Sequence, residues 1–366
     1  MQPLSSTPIY NPDQTFDHNF DHGPFGAFAD GLTYVNSGLP QHLFLGIPVY
    51  SPFGIPAGPL PNARYVIGAL RSGFDIVVYK TQRSIEFASN PFPNIVYVDA
   101  PTTLATVGPH QVRRRSKAPS SLERLAITNS FGMPSRGPQI WMPDYSDLVT
   151  AAKYPGQLVI MSVVGTIQPG FSQKDYYDDF ARVASMASAA GAEVIEFNLS
   201  CPNVAGEGVL CYTPSAVEAI CRQVAEATRG RKLIAKIGYF APSADQVLAD
   251  VVGRMAPYIS AISAINTVAA AVEDEHGNQA LPGEGRRTSG ICGAPIKSAG
   301  LSMVQRLDQL RRSKGYKYEI IGVGGVMTPN DYDEYRAAGA DVVQSATGAM
   351  WDPHLAARIK SRKQLH

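Results

Sequence analysis

The chain has 366 residues, of which 45% are hydrophobic and 17% are charged, and its formal net charge is +1 at pH 7. A charge so close to zero gives no general attraction for nucleic acid or for an anionic membrane, so neither is a predicted partner. The first fifty residues show no signal-peptide pattern, and no uninterrupted apolar run is long enough to span a bilayer. We therefore expect a soluble, cytoplasmic protein.

The cysteines indicate the same environment. They show neither the paired spacing of a metal site nor the density of a disulfide framework, which fits a reducing compartment. No metal site is predicted. The four cysteines are Cys201, Cys211, Cys221 and Cys292.

The segment 1–46 is rich in Asp, His and Phe around residues 16–25 and has little periodicity. We interpret it as an N-terminal arm that packs on the body of the protein or on a partner subunit, and a disordered tail is the alternative. A chain of this length could form two average domains, but one α/β barrel with insertions fits equally well, and we expect residues 47–366 to form a single domain.

From Gly54 onward, short apolar runs typical of β-strands recur, most of them separated by stretches with helical spacing of apolar residues. Such alternation predicts parallel strands, because parallel neighbours need a crossover connection. Eight units closing on themselves predict an α/β fold of the (β/α)8 TIM barrel type, and a doubly wound open sheet is the alternative. The predicted strands are 54–58, 74–81, 158–164, 194–199, 233–237, 261–267, 320–325 and 342–347. The predicted helices are 63–71, 176–190, 214–229, 244–255, 302–312 and 329–338.

The connection between the second and third predicted strands, residues 82–156, is a long insertion. Loops of that length usually have a function or structure of their own. It contains the turn-prone motif Asn129-Ser130-Phe131-Gly132-Met133-Pro134, and we expect the insertion to lie over the barrel mouth. The basic run Arg113-Arg114-Arg115 within it is interpreted as a solvated loop, with an anion or partner site as the alternative.

Polar residues fall at the ends of several predicted strands, where barrels build their active sites. The segment Asn198-Leu199-Ser200-Cys201-Pro202-Asn203 follows the fourth strand, and Lys80, Lys236 and Asn266 end three others. Carboxamides suit a planar polar ligand, and a deprotonated thiol serves as a base or nucleophile. A strand end with a buried cysteine and turn-forming asparagines is the structural alternative for this segment.

Two glycine-bearing turns follow the seventh and eighth predicted strands. Gly322-Val323-Gly324-Gly325 precedes a helix that starts near Pro329, and Ser345-Ala346-Thr347-Gly348 follows the last strand. Backbone N–H groups at a helix start favour an anion, and barrels often bind phosphate at these two loops. A tight turn is the alternative for each, but together they predict a phosphate site for a nucleotide-like cofactor.

With these motifs the chain resembles the dihydroorotate dehydrogenases, FMN-containing barrels of pyrimidine synthesis. The resemblance runs from about residue 47 to the end, and the two asparagine motifs at 129–134 and 198–203 are its most specific parts. The other matching pieces are Pro56-Ala57-Gly58, Lys80-Thr81, Asn90-Pro91-Phe92-Pro93, Lys236, Asn266-Thr267, Gly290–Gly293, Gly324-Gly325 and Ala346-Thr347.

The resemblance implies oxidation of dihydroorotate to orotate, with Cys201 taking the C5 proton and a hydride passing from C6 to flavin N5. The membrane-bound, quinone-using class carries serine at this position, so cysteine implies the soluble class 1. The implied substrate-binding residues are Lys80, Asn129, Gly132, Met133, Asn198, Asn203, Asn266 and Thr267. The implied FMN-binding residues are Ala57, Gly58, Lys80, Thr81, Asn129, Asn198, Lys236, Gly293, Gly324, Gly325, Ala346 and Thr347.

Class 1 enzymes use fumarate as homodimers, or NAD through a separate iron–sulfur subunit. This chain has no cysteine cluster for such a centre, so we expect a homodimer that uses fumarate. A dihydropyrimidine dehydrogenase is the nearest alternative, because Cys211 lies near the position of that family's catalytic cysteine. A tRNA dihydrouridine synthase and a non-catalytic flavin-binding protein are further alternatives. The chain departs from the family pattern at Asn94, Met133 and Ser135.

Overall fold

A closed barrel of eight parallel strands forms the centre of the computed structural model, which describes residues 4, 7–31, 33–104, 110–151, 155–200 and 209–363. Each strand pairs with its neighbours in chain order, and the last pairs with the first. This closure confirms the predicted (β/α)8 barrel and excludes the open sheet. The barrel strands are β1 (Phe53–Ile55), β2 (Ile76–Gln82), β3 (Leu158–Val163), β4 (Val194–Asn198), β5 (Lys232–Ile237), β6 (Ala261–Ala264), β7 (Glu319–Val323) and β8 (Val342–Gln344).

The strands β1, β6 and β8 each end three residues sooner than predicted. After β1, Pro56 has no N–H to donate to a neighbouring strand, and Gly58 has a φ of 135°. The residues that follow these strand ends therefore form loops at the barrel mouth.

Six helices match the predicted ones: Ala63–Arg71, Gln173–Ala189, Pro214–Ala227, Asp245–Met255, Lys297–Lys314 and Pro329–Ala337. Two of them begin with capping boxes, in which Ser172 pairs with Asp175 and Thr328 pairs with Asp331. The helices of the described residues are α1 (Phe16–His22), α2 (Ala63–Arg71), α3 (Pro138–Ala151), α4 (Gln173–Ala189), α5 (Pro214–Ala227), α6 (Asp245–Met255), α7 (Lys297–Lys314), α8 (Pro329–Ala337), α9 (Thr347–Trp351) and α10 (Leu355–Lys363). Short 3-10 helices occur at Gly26–Phe28, Leu122–Arg124, Leu210–Tyr212, Pro242–Ala244 and Ala294–Ile296. None of the described helices has the length and apolarity needed to cross a membrane.

A second closed sheet, here called the cap sheet, has five short strands drawn from two distant parts of the chain. Three strands come from the predicted insertion, at Tyr97–Asp99, Gln111–Arg115 and Ala126–Asn129. The other two, Val268–Glu273 and Thr288–Gly293, follow β6. The insertion therefore carries its own structure, as expected of a connection of this length.

The prediction of a solvated loop at Arg113–Arg115 was wrong for the backbone, which forms a cap strand. This strand pairs in parallel with Val268–Glu273 and antiparallel with Tyr97–Asp99. Pairing on both sides holds it in place although its three arginine side chains are exposed.

A two-stranded hairpin, His42–Phe44 with Ile47–Val49, closes the other end of the barrel. Its buried side chains Phe44 and Val49 belong to a core with the inward residues at the starts of the barrel strands. The hairpin thus packs against the end of the barrel opposite to the one where the strands finish.

The arm packs on the body over the residues that the structure describes. The Ile9 N–H donates to the Met350 carbonyl at 3.0 Å, and the Asn62 side chain donates to the Phe20 carbonyl at 2.8 Å. The side chains of Ile9 and Phe16 are buried. These contacts favour the packed arm over the disordered tail, and the division of the chain at residues 46 and 47 stays a prediction.

Candidate active site

A cavity lies between the barrel mouth and the cap sheet, and we call it the active cavity. Residues at or just beyond the carboxyl ends of β1, β2, β4, β5, β6 and β8 line it, as expected for a barrel. The cap sheet contributes Asn129, and Met133 lies in the loop that follows. The structure thus brings together the following predicted site residues: Ala57, Gly58, Lys80, Thr81, Asn129, Met133, Asn198, Lys236, Asn266, Ala346 and Thr347.

Other predicted site residues lie elsewhere. Gly132 and Thr267 line an adjoining cavity that shares Asn129 with the active cavity. Gly325 borders a separate cavity that is also lined by Asp99 of the cap sheet and Asp331 of α8. Gly293 and Gly324 line none of these three cavities. Cys201 and Asn203 lie outside the described residues.

Several lining residues were not predicted. Tyr10 and Phe16 come from the arm, and Cys292 comes from a cap strand. From the sequence, Cys292 is interpreted as a small packing residue and not as a reactive one. The aromatic residues of the arm were the only signal for Tyr10 and Phe16, and they carry no spacing that points to a site.

Lys80 is buried at the wall of the active cavity, with 6% of its surface exposed. Its ammonium donates to the Pro134 carbonyl and lies 5.1 Å from the centroid of the Phe16 ring. Burial, assisted by the nearby charge of Arg83, lowers the pKa of Lys80 to about 7. Lys80 therefore changes its charge within the physiological pH range.

The Asn198 side chain has a fixed orientation. Its carbonyl oxygen accepts hydrogen bonds from the Ser200 N–H at 2.9 Å and from the Ser200 hydroxyl at 2.7 Å. The amide nitrogen lies 3.4 Å from the Met133 sulfur, beside the cavity. Because the oxygen is already occupied, Asn198 offers a ligand its N–H donors.

Two oppositely charged side chains, those of Lys236 and Glu196, form a buried charge layer beneath the active cavity. Lys236 is 4% exposed, and its ammonium forms no hydrogen bond or ion pair with any described residue. Glu196, on the neighbouring strand, is fully buried, and burial raises the pKa of this carboxyl while Lys236 opposes the rise. The Ser162 hydroxyl donates to Glu196 at 3.0 Å and lies 3.0 Å from the Thr81 hydroxyl, which links the layer to the cavity wall.

The motif at 129–134 is held by two arginines from different parts of the chain. Arg83 donates to the Met133 carbonyl at 2.9 Å and to the Gly165 carbonyl at 3.1 Å. Arg286, in the connection between the last two cap strands, donates to the Ser130 carbonyl at 3.0 Å. These bonds fix the loop that carries Met133, so the cavity wall is preorganised.

The glycine turn after β7 requires glycine for a physical reason. Gly325 has a φ of 67°, and a Cβ there would lie 2.6 Å from the Lys297 nitrogen. At Gly58, by contrast, a Cβ would have no heavy atom within 4 Å, although the φ of 135° disfavours a side chain. Gly58 thus exposes its backbone directly to the active cavity.

Comparison with known proteins identifies the family. The sequence model described as dihydroorotate dehydrogenase matches residues 53–364. The chain belongs to the dihydroorotate dehydrogenase family. A dihydroorotate dehydrogenase of Dictyostelium discoideum is 36% identical over 364 residues, which cover 95% of each chain. As a member of this family the chain is an oxidoreductase.

More distant similarity extends to bacterial proteins named as the NAD(+) type and as the fumarate type. The catalytic subunit of a dihydroorotate dehydrogenase B (NAD(+)) of Geobacter sp. (strain M21) is 32% identical over 192 residues, 52% of this chain and 58% of that protein. A dihydroorotate dehydrogenase A (fumarate) of Limosilactobacillus reuteri (strain DSM 20016) is 29% identical over 202 residues, 55% of this chain and 59% of that protein. The arm, at residues 1–46, precedes the region that the family model matches.

Proposed function

We propose that this protein oxidises dihydroorotate to orotate with FMN, as a step of pyrimidine biosynthesis in the cytoplasm. The observation that carries the proposal is the meeting of Lys80, Asn129, Asn198 and Lys236 in one cavity at the barrel mouth. Amide donors and acceptors match the ring amides and carbonyls of the substrate, and an ammonium matches its carboxylate. Asn266 lines the same cavity, and Gly132 and Thr267 line the adjoining one, so both cavities have a place in the substrate site.

The residues present fit a flavin. FMN, when bound, supplies a two-electron acceptor, whose reduced ring is anionic near N1 and O2. Lys236, a buried ammonium without a partner among the described residues, would stabilise that charge. Ala57, Gly58 and Thr81 would bind the ring through the backbone and a hydroxyl, and we assign the phosphate to the turns at 324–325 and 346–347.

Cys201 is proposed as the base that removes the C5 proton. The two cysteines that could replace it are poorly suited, because burial raises the pKa of both Cys211 and Cys292 to about 12. Cys211 also lies outside the walls of both cavities. This location disfavours the dihydropyrimidine dehydrogenase alternative, in which Cys211 would be the base.

Substrate-dependent bleaching tests the function. The purified protein should be yellow, and anaerobic dihydroorotate should remove the flavin absorbance at 450 nm on the stopped-flow timescale, since two electrons enter the ring. Dihydrouracil, which lacks the carboxylate, is the matched control and should bleach the flavin much more slowly. Rapid bleaching by dihydrouracil alone would contradict the proposed substrate, and a protein unable to take up FMN would contradict the proposed cofactor.

The base assignment is tested by Cys201→Ala. This variant should keep its flavin but reduce it roughly 100-fold or more slowly at pH 7.5, because general base catalysis contributes about 10²–10⁴-fold. Cys211→Ala is the control and should reduce its flavin at nearly the wild-type rate. Wild-type flavin reduction by Cys201→Ala would refute the assignment.

We further propose fumarate as the electron acceptor and a homodimer as the assembly. The similarity to a protein named for fumarate supports the first, although the similarity to NAD-type catalytic subunits is comparable. Reoxidation of the dihydroorotate-reduced protein with fumarate, NAD or a soluble quinone distinguishes the acceptors. Analytical ultracentrifugation with and without orotate tests the dimer.

A further inference from the structure

Tyr10 of the arm lines the active cavity together with Lys80, Asn129 and Lys236. Its side chain is 4% exposed, and its hydroxyl oxygen is buried without a hydrogen-bond partner among the described residues. Buried polar groups in folded proteins are nearly always paired, so an unpaired hydroxyl at a cavity wall requires an explanation. A ligand atom that reaches this hydroxyl would provide the missing partner.

The position of Tyr10 is set by the protein. The N–H of the preceding residue, Ile9, donates to the Met350 carbonyl, and the Ile9 carbonyl accepts from the Phe25 N–H, both at 3.0 Å. The Tyr10 ring packs edge-on against Phe131, with centroids 5.8 Å apart. Phe131 and Met350 line the active cavity as well, so the arm is fixed to the walls of the site on both sides of Tyr10.

The hydroxyl is a donor under all ordinary conditions. Burial raises the pKa of Tyr10 above its usual value, and the neighbouring Tyr65 and Asp17 raise it further. A phenol that stays protonated donates a hydrogen bond, and the natural acceptor is an oxygen atom that carries negative charge or carbonyl character.

We propose that the Tyr10 hydroxyl donates a hydrogen bond to an oxygen of the ligand bound in the active cavity, which makes the arm part of the binding site. This inference rests on the proposed function, since both FMN and orotate present carbonyl oxygens. No position of the matched family region corresponds to Tyr10, because that region begins at residue 53.

Tyr65 provides a matched control. Its ring lies 6.3 Å from the Tyr10 ring, but its hydroxyl already donates to the Asn19 carbonyl at 3.1 Å. Tyr65 does not line the active cavity. Removing the Tyr65 hydroxyl therefore removes an internal hydrogen bond, whereas removing the Tyr10 hydroxyl removes an unpaired donor.

The experiment compares Tyr10→Phe and Tyr65→Phe in the full chain. Flavin fluorescence quenching gives the FMN affinity of the stripped protein, and flavin difference spectra give the orotate affinity of the reloaded protein. For Tyr10→Phe we expect the Kd of one of these ligands to rise about three- to tenfold, the usual effect of losing one hydrogen bond. Which Kd rises identifies the ligand that Tyr10 contacts. Tyr65→Phe should leave both Kd values unchanged.

Thermal unfolding of the flavin-free proteins provides a second readout. Tyr10→Phe should unfold at or above the wild-type Tm, because it removes a buried hydroxyl without a partner, whereas Tyr65→Phe should unfold below it. Wild-type affinities of Tyr10→Phe for both ligands would overturn the inference and leave the proposed function intact. A wild-type protein that binds no FMN would overturn both.

Discussion

Burial and the neighbouring Arg83 lower the pKa of Lys80 to about 7, and an aromatic ring lies beside its ammonium. The ammonium form is disfavoured by burial and by Arg83, and its contacts with the Pro134 carbonyl and the Phe16 ring offset part of this cost. A lysine in this state binds an anion best at low pH, where it is fully charged.

The pH dependence of orotate binding tests this property. With a pKa of about 7, the charged fraction of Lys80 falls from about nine-tenths at pH 6 to about one-tenth at pH 8. Orotate affinity should therefore fall as the pH rises through this interval. Lys80→Met should bind orotate weakly, with little pH dependence between 6 and 8. An affinity that rises with pH in the wild type would contradict the assignment, and difference spectra of the bound flavin provide the measurement.

The sequence predicted some site residues and missed others for a clear reason. Lys80 and Lys236 end apolar runs, so their place at the barrel mouth follows from local pattern and barrel geometry. Tyr10 and Phe16 lie in a segment without periodicity, and only tertiary packing brings them to the cavity. Their contribution depends on contacts far along the chain, such as that between Ile9 and Met350.

Among the elements, the loop that carries Ser130 depends on Arg286. The guanidinium of Arg286 donates to the carbonyls of Pro91 at 2.6 Å, Pro282 at 2.5 Å and Ser130 at 3.0 Å. It thereby joins two segments of the insertion to the connection between the last two cap strands. Arg287, the next residue, is largely exposed and pairs with Glu273 at 2.8 Å.

These two arginines form a matched pair of variants. Arg286→Ala should lower the free energy of unfolding by about 2 kcal/mol, because it removes several hydrogen bonds that the buried guanidinium donates. It should also weaken orotate binding, since Asn129 and Gly132 flank Ser130. Arg287→Ala should change stability by less than about 1 kcal/mol, as expected for an exposed ion pair. Equal effects of the two substitutions in urea unfolding would contradict this role of Arg286.

The barrel elements were predictable and the cap sheet was not. Strands such as β2 and β4 are rich in apolar residues and buried at every position, which is the pattern of a parallel sheet. The cap strand Tyr97–Asp99 has only three residues, and Gln111–Arg115 has one buried side chain. Such segments become strands because they pair with distant partners, and local sequence does not encode that pairing.

At the scale of the whole molecule, a buried ion pair joins α10 to the start of β2. Lys360 of α10 lies 2.7 Å from Asp75, the residue before β2, and the two side chains are 10% and 0% exposed. Asp75 also accepts hydrogen bonds from Ser51 at 2.5 Å and Gln157 at 3.0 Å. The last helix is thus tied to the closed end of the barrel.

Breaking this pair should affect the whole fold. Lys360→Met should lower the free energy of unfolding by about 3 kcal/mol, because it leaves the Asp75 carboxylate buried without its counter-charge. Adding Asp75→Asn should recover part of the loss. Arg362→Ala, which removes an exposed pair with Asp333 at 3.7 Å, is the control and should cost less than about 1 kcal/mol. Chemical denaturation measures all three, and a Lys360→Met protein as stable as the control would contradict the role of the pair.

The cap sheet also constrains how the protein is made. Gln111 and Glu273, on adjacent cap strands, hydrogen-bond across 162 positions of sequence. At about 5–20 residues per second, a ribosome needs roughly 10–30 s to bridge that distance. Throughout that interval the three earlier cap strands have emerged without the two later ones, and the edges that pair with the later strands are open to association with other nascent chains. Chaperone dependence should therefore be greatest for polypeptides stalled between these two points of translation.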